Sequence, residues 1–362
     1  MSKRIYTVVK GTGSCIPDLV VKNDHFLTYN FFDPATRKAF ERSNEDIIKK
    51  FREITNIEER RWAREDQMTS DLAVIAAEEA LQAAGVDRES IDFIIVGHNF
   101  GDVKKGCNRV QTLPSVSNRV KAKLGIHNPM SITHDVINGC PSWVTALVVA
   151  DAYIRTGDYK RGLVIGADVN SRVSDPHDRD TMIFSDGAGA VLVEGVESET
   201  PVGILSHVGR SDSLPYQEML KLDKSYNDEY ERKEDLFIRM QGHKLYVYAL
   251  STVPSVVKES LDKAGLDIQH VNKVLIHQAN EKMDEAILER LFKLYKVKGD
   301  VKAIMPMSIK ALGNTSSATI PTLWNLVLKG KIEGHEIKSG DNLVICSVGG
   351  GMNINSVIYR VP

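Results

Sequence analysis

Cysteine is scarce in this chain: four residues in 362, at positions 15, 107, 140 and 346. Their scatter makes no Cys-x-x-Cys pair, so neither a zinc site nor a disulfide framework is expected. Reduced thiols suit a cytoplasmic protein. Long apolar runs are missing as well. No stretch reaches 18 apolar residues, so no membrane span is expected. The N-terminal MSKRIYTVVKGTG turns to glycine too early for a signal peptide. Neither sign of charge dominates, with 46 basic against 48 acidic residues and a net charge of −2, which gives no electrostatic footprint for nucleic acid. No low-complexity linker divides the chain, although its length exceeds one ordinary core. Two fused halves sharing a core are expected.

What the chain does have is a repeat. LQAAGVDRESIDFIIVGHN from Leu81 and LDKAGLDIQHVNKVLIHQA from Leu261 keep Leu, Ala, Gly and Asp in step, 180 residues apart. Leu163-Val164-Ile165 and Leu343-Val344-Ile345 hold the same offset. Each copy reads as a helix ended by glycine, a short turn, then a buried strand. Two matches at one offset mark an internal duplication, with halves 1–195 and 196–362. The periodicity predicts helices at 69–85, 141–156, 243–265 and 280–295, and strands at 92–97, 162–167, 273–277 and 342–347. That alternation fits an α/β protein with mostly parallel central strands. Residues 28–50 and 98–112 read as polar surface excursions.

In the repeat Gly97 aligns with His277, at ends of equivalent strands where α/β proteins gather their ligands. One half offers a histidine where the other has only backbone, which suggests one site made by both. In DVINGCPSWV (135–144), Cys140 follows a strand-like stretch and an Asn-Gly turn and opens a helix, with Pro141 suited to the first helical position. The helix dipole stabilises a thiolate there by about 0.3–1 kcal/mol, at most about 2, or roughly one pKa unit. A histidine partner would have to supply more. A free cysteine is equally a small buried hydrophobe, His277 equally a hydrogen-bonded structural residue, and Asn314 in ALGNTSSATIP equally a cap. Taken singly, these residues leave both readings open.

Taken in order, they resemble the β-ketoacyl-acyl carrier protein synthase III family of thiolase-fold condensing enzymes. The landmarks are GTGSCIP (11–17), the Cys140 segment, DRDTMIFSDGAGAV (178–191), MQGHKLY (240–246), HQAN (277–280), GNTSSATIP (313–321) and the terminal GGG (349–351). The resemblance implies a five-layered αβαβα thiolase-like fold from an internally duplicated chain. It implies a catalytic triad of Cys140, His277 and Asn314, and an oxyanion hole from the N–H groups of Cys140 and Gly350. The reaction would be acyl transfer to Cys140 followed by decarboxylative Claisen condensation with a malonyl or related thioester, in fatty acid or specialised lipid biosynthesis. No bound cofactor or metal is implied. The substrates would be acyl-CoA or phosphopantetheine-linked acyl carrier protein, and the assembly a homodimer.

Departures from the family pattern sharpen this. Lys50 and Ile54 stand where a tryptophan and an arginine hold the adenine of coenzyme A, which argues against ordinary acetyl-CoA priming. Leu113, Arg179 and Trp143 are the substrate-binding candidates: Leu113 where some members send a phenylalanine into the partner's acyl pocket, Arg179 in the DR motif, and Trp143 where Cys-x-Gly-Phe is usual. Lys282 matches a carrier-docking arginine, with Arg290 and Lys293 following. Interleaved Asp284, Glu285 and Glu289 equally describe a solvated helix face. A synthase-III-like enzyme joining two acyl chains, or a thioester hydrolase, stays open as an alternative. A papain-like hydrolase shares the order Cys, His, Asn but not the 180-residue repeat or the GNTS and GGG motifs.

Overall fold

The computed structural model describes residues 3–362. Its first large sheet runs, in spatial order, Arg4–Cys15, Asp186–Ser198, Arg161–Val169, Phe93–Gly97 and Ile132–Val136. The first two pairings are antiparallel and the last two parallel. The second sheet runs Gly203–Ser211, Asn353–Arg360, Asn342–Gly349 and Lys273–Ile276. Its pairings are antiparallel, antiparallel and parallel, repeating the first four strands of the other sheet. The duplication read from the sequence is therefore a duplication of topology.

Strict alternation along these strands builds the layers. In the first sheet Ile94, Val96, Leu163 and Ile165 face an outer layer formed by the helices Thr69–Ala84 and Val116–Leu124. Phe93, Ile95, Val164 and Val191 face inward, onto the helices Ser142–Thr156 and Thr319–Leu328. The second sheet meets that same central pair through Leu275, Leu343, Ile345 and Val357. Its other face, with Val274, Ile276, Val344 and Cys346, is covered by Gly242–Lys263 and Glu281–Leu294. The result is five layers, αβαβα, a thiolase-like fold.

Local signals explain why the copies match. Gly85 and Gly265 end their helices in the left-handed region, at φ +64° and +69°, where a side chain would be strained. The short helices Arg88–Ser90 and Ile268–His270 follow, each opened by an aspartate whose carboxylate accepts the N–H two residues on. The copies diverge at one edge. The first sheet has Ile132–Val136 beside Phe93–Gly97, whereas Lys273–Ile276 ends its sheet. There the buried Gln278 amide takes the place of a strand ladder. Its Nε2 donates to the Pro306 carbonyl at 2.9 Å, and its Oε1 accepts from the N–H groups of Ser308 and Ile309 at 2.9 and 3.1 Å.

The excursions are not merely polar surface. Phe31, Ile47 and Phe51 are buried in a fourth apolar cluster with Val103, Met182 and Ile238. Both excursions are tied to the segment 224–236: Arg37 donates to the Ser225 carbonyl at 2.7 Å, and Asn108 exchanges hydrogen bonds with the Leu236 backbone. Among the described residues no helix is long and apolar enough to cross a membrane.

Candidate active site

The carboxyl ends of the parallel strands bring together residues from five segments. Cys140 follows Ile132–Val136 through the turn Ile137-Asn138-Gly139 and immediately precedes the helix Ser142–Thr156. His277 directly follows its strand, its N–H donating to the Cys346 carbonyl at 2.9 Å. Asn314 bridges the halves, with its N–H on the Ile183 carbonyl and its carbonyl accepting from the Ser185 N–H, at 2.8 and 2.9 Å. The glycine run packs onto the Cys140 turn. A Cβ at Gly349 would lie 2.7 Å from the Cys140 nitrogen, and one at Gly139 would lie 2.7 Å from the Gly350 nitrogen. Only glycine permits that approach. Among the described residues no oxygen accepts the N–H groups of Cys140 and Gly350, and the Cys140 N–H bears on its own sulfur.

Cys140, His277 and Asn314 are all buried. The Cys140 sulfur accepts a hydrogen bond from the Ser316 hydroxyl at 3.2 Å. Burial pushes the thiol up to about 11, against the lowering effect of that hydrogen bond, with the Asp168 charge adding to the rise. The roughly one unit that a helix start supplies leaves it well above neutrality. The helix start alone therefore does not ionise the thiol. Burial likewise drives His277 down to about 4, opposed by the Ser316 main chain, so the imidazole is neutral at physiological pH. Its Nδ1 is buried without a hydrogen-bond partner.

Cys140 opens into a cavity of about 260 Å³ whose walls include Ile137, Phe184, Leu220, Leu222 and Ile238. On the other side of Phe184, Ile183 begins a larger cavity of about 680 Å³, with Ile47, Phe51, Met182 and Met240 in its lining. Arg179, Lys50 and Ile54 also line it, and the Arg179 guanidinium stands over the Phe40 ring at 4.6 Å. Leu113 is 89% exposed and lines neither cavity of its own chain.

Trp143 departs from the expectation. It is buried in the central helix layer with its Nε1 donating to the Val164 carbonyl at 3.1 Å. The helix turns it away from Cys140 into the core, so it touches no substrate cavity. Lys282 and Lys293 are exposed, while Arg290 donates to the Leu250 carbonyl at 3.1 Å and is partly committed to the neighbouring helix. Sequence reading missed Ser316, Asn99 and Asp168. Asn99 stands just past the end of the strand that aligns with the His277 strand, and Ser316 lies inside GNTS, but nothing in the sequence joins either to Asp168.

A duplicated αβαβα frame with a buried cysteine at the junction of its halves is the architecture of thiolase-fold condensing enzymes. Comparison with known proteins narrows the class. The model for 3-oxoacyl-[acyl-carrier-protein (ACP)] synthase III matches residues 134–213, and the model for its C-terminal part matches 261–361. A β-ketoacyl-[acyl-carrier-protein] synthase III of Alkalilimnicola ehrlichii is 35% identical, over 98% of this chain and 99% of its own. The crystal structure of 3-oxoacyl-[acyl-carrier-protein] synthase III from Aquifex aeolicus superposes with a TM-score of 0.79 at 29% identity, covering 98% of this chain and 99% of that one. The priming β-ketosynthase of the R1128 polyketide pathway gives 0.80 at 25% identity, over 100% and 98% of the two chains. The chain belongs to the β-ketoacyl-acyl carrier protein synthase III family, and is a synthase III-like condensing enzyme, an acyltransferase.

Proposed function

We propose that Cys140 is the nucleophile of a two-stage reaction, with 1–195 and 196–362 as the two thiolase-like halves that share it. The Cys140 thiol attacks an acyl thioester, from coenzyme A or an acyl carrier protein, and its proton passes to the departing sulfur. The donor's thiol leaves and the acyl group stays on Cys140, which divides a hard condensation into easier steps. The N–H groups of Cys140 and Gly350 bind the carbonyl oxygen as it gains charge. A malonyl thioester then loses CO₂. The resulting carbanion is stabilised by hydrogen bonds from neutral His277 and from the Asn314 amide to its thioester carbonyl. It attacks the acyl carbon and expels the Cys140 thiolate. A neutral imidazole suits this second stage, since it donates without first surrendering a charge.

The observation that carries the reading is that Cys140 opens into a largely apolar cavity, with the Cys140 and Gly350 N–H groups donating to no oxygen. Lys50 and Ile54 on the larger cavity support a donor other than acetyl-CoA, because neither side chain can stack on and clamp an adenine. We further propose that the exposed Leu113 reaches the acyl pocket of a second copy in a cytoplasmic homodimer. Arg179 would contact the donor's nucleotide or phosphopantetheine arm, and Lys282 with Lys293 would meet an acidic carrier protein. A second reading, in which the second substrate carries a long acyl chain, is supported by the apolar lining of the larger cavity.

Incubating the protein with acyl donors of two to sixteen carbons, on coenzyme A and on carrier protein, and reading the adduct by mass spectrometry tests the first stage. The acyl mass belongs on Cys140, and Cys140→Ala should abolish it. An acyl group on Cys15, Cys107 or Cys346 would overturn the reading.

A further inference from the structure

Ser316 meets every member of the candidate triad. Its hydroxyl donates to the Cys140 sulfur at 3.2 Å, its N–H donates to Asn314 Oδ1 at 2.8 Å, and its main chain bears on the His277 imidazole. It does so from the left-handed region, at φ +55°, while almost wholly buried. A non-glycine residue there costs free energy, and such conformations persist where the surroundings impose them.

The surroundings here also fix the direction of the hydroxyl. Asp168 is buried and accepts the Asn99 N–H at 2.7 Å and the Asn99 Nδ2–H at 3.0 Å. It also accepts from the Ser317 hydroxyl at 2.6 Å and the Ser317 N–H at 3.1 Å. A carboxylate only accepts, so Asp168 settles which end of the Asn99 amide faces it. The second Nδ2 hydrogen then donates to the Ser316 oxygen at 2.6 Å. A hydroxyl has one hydrogen, and with an acceptor site occupied by Asn99 that hydrogen is directed at sulfur. Asn99 is itself set by the turn behind it, where Gly101 N–H donates to His98 Nδ1 and His98 Nε2 pairs with Asp135.

We propose that Ser316, aimed by Asn99 and Asp168, is a positioning residue that steadies the Cys140 thiolate while holding the Asn314 amide with its Nδ2 toward the substrate. This rests on the reading of Cys140 and Asn314 given above. It adds a means by which a desolvated sulfur is brought to react: one charge-assisted hydrogen bond, stronger than a neutral one.

The test is the pH profile of Cys140 alkylation by iodoacetamide between pH 7 and 10.5, read by peptide mass spectrometry. The partly exposed Cys107 serves as the internal reference. Of the titratable groups facing the sulfur, Asp168, raised by burial to about 6, stays ionised in this range and His277 stays neutral. Ser316→Gly suits the positive φ and keeps the N–H to Asn314, so it removes the hydroxyl alone. Throughout this range, which lies below the Cys140 midpoint of about 11, it should slow Cys140 alkylation by roughly tenfold, leaving Cys107 unchanged. Acyl transfer to Cys140 should fall by a similar factor with KM little altered. Asn99→Ala should act in the same direction and more weakly, and should add nothing in the Ser316→Gly background, because the two residues form one relay. An unchanged Cys140 alkylation rate in Ser316→Gly, or full additivity in the double variant, overturns the proposal. The Cys140→Ala control separates the two claims: acylation that survives it defeats the triad reading itself. Acylation lost there, with Ser316→Gly unaffected, defeats only the relay.

Discussion

The ends of two equivalent strands, Phe93–Gly97 and Lys273–Ile276, receive different neighbours. At Gly97 a Cβ would lie 2.6 Å from the Ser142 carbonyl carbon. The first-half strand is closed by the start of the Cys140 helix, and only backbone fits. In the second half His277 stands at that point in the repeat. The edge beside it lacks a fifth strand, and the segment 305–314 is held by the Gln278 side chain instead. That leaves Asn314 free to turn inward and bridge to Phe184 of the other half. Duplication supplied one frame twice. What packs on each strand end decided that one copy carries the sulfur and the other the imidazole and amide.

The largest effect should come from removing that asymmetry. Replacing His277 or Asn314 with Ala should lower condensation by a factor on the order of 10² or more, the usual cost of one preorganised donor. Acyl loading of Cys140 should survive within a few-fold. Single-turnover acylation and steady-state condensation, measured side by side, separate the stages. Equal loss in both would mean that His277 serves chiefly as the base for Cys140, and the division between the halves would fall.

Gln278 sharpens the comparison through stability. Gln278→Leu leaves the Pro306 carbonyl and the Ser308 and Ile309 N–H groups without their partner. Each unpaired buried group costs about 1–3 kcal/mol, so with partial relaxation the whole should come to about 2–4 kcal/mol. The same leucine at an exposed helical position such as Lys282 should change stability by less than about 0.5 kcal/mol. Chemical denaturation of both variants checks it. A Gln278→Leu protein as stable as its parent would show that the second half needs no substitute for the missing strand.

The frame was legible because its signals are local. Glycines 85, 157 and 265 end helices within a residue or two of the expected points, and β-branched runs mark buried strands whose faces alternate. Cys140, His277 and Asn314 were legible as candidates through a helix start, a strand end and a Gly-Asn turn, and the family resemblance joined them into a triad. The Asp168–Asn99–Ser316 relay was not, since its members come from three distant segments and meet only after both halves fold. Trp143 was misjudged because a place three residues after the cysteine, in a departure from Cys-x-Gly-Phe, says nothing about which way a helix turns a side chain. The excursions concealed their apolar cluster, whose members are spread from Val21 to Ile309.

The first half also carries the loop that bears Leu113, at a place where the repeat of the second half has the helix Glu281–Leu294. Phenylalanine there should narrow a neighbouring copy's acyl pocket. Overpacking typically costs about 1–3 kcal/mol, so donors longer than about eight carbons should load roughly tenfold more slowly for each 1.4 kcal/mol of clash. Short donors should be unaffected, and folding stability should not change because the side chain is exposed. Loading rates across chain lengths decide it, and a uniform loss at every length would remove Leu113 from the pocket.

The smallest effect concerns the first turns of two helices. Arg119, one turn into Val116–Leu124, pairs with Asp102 at 3.5 Å. At the same step of Glu281–Leu294 stands Asp284, fully buried, with neither carboxyl oxygen hydrogen-bonded. Burial raises its pKa well above the ordinary carboxylate value, and the Glu281 and Glu285 charges push the same way. The folded state therefore keeps a proton that the unfolded chain releases. Below the unfolded value, about 4, Asp284 costs nothing through ionisation. As pH rises past it, the unfolded state is favoured more with each step until the folded pKa is reached. Asp284→Asn keeps the shape and discards the titration, and should stabilise the protein by on the order of 1 kcal/mol or more at pH 7.5. The gain should shrink toward zero only below the unfolded value, near pH 3. Melting curves of parent and variant at several pH values between these limits test the sign. A gain of constant size across them would mean that the carboxyl ionises in the folded protein as readily as in the unfolded chain, and the second helix would then tolerate its charge as the first tolerates Arg119.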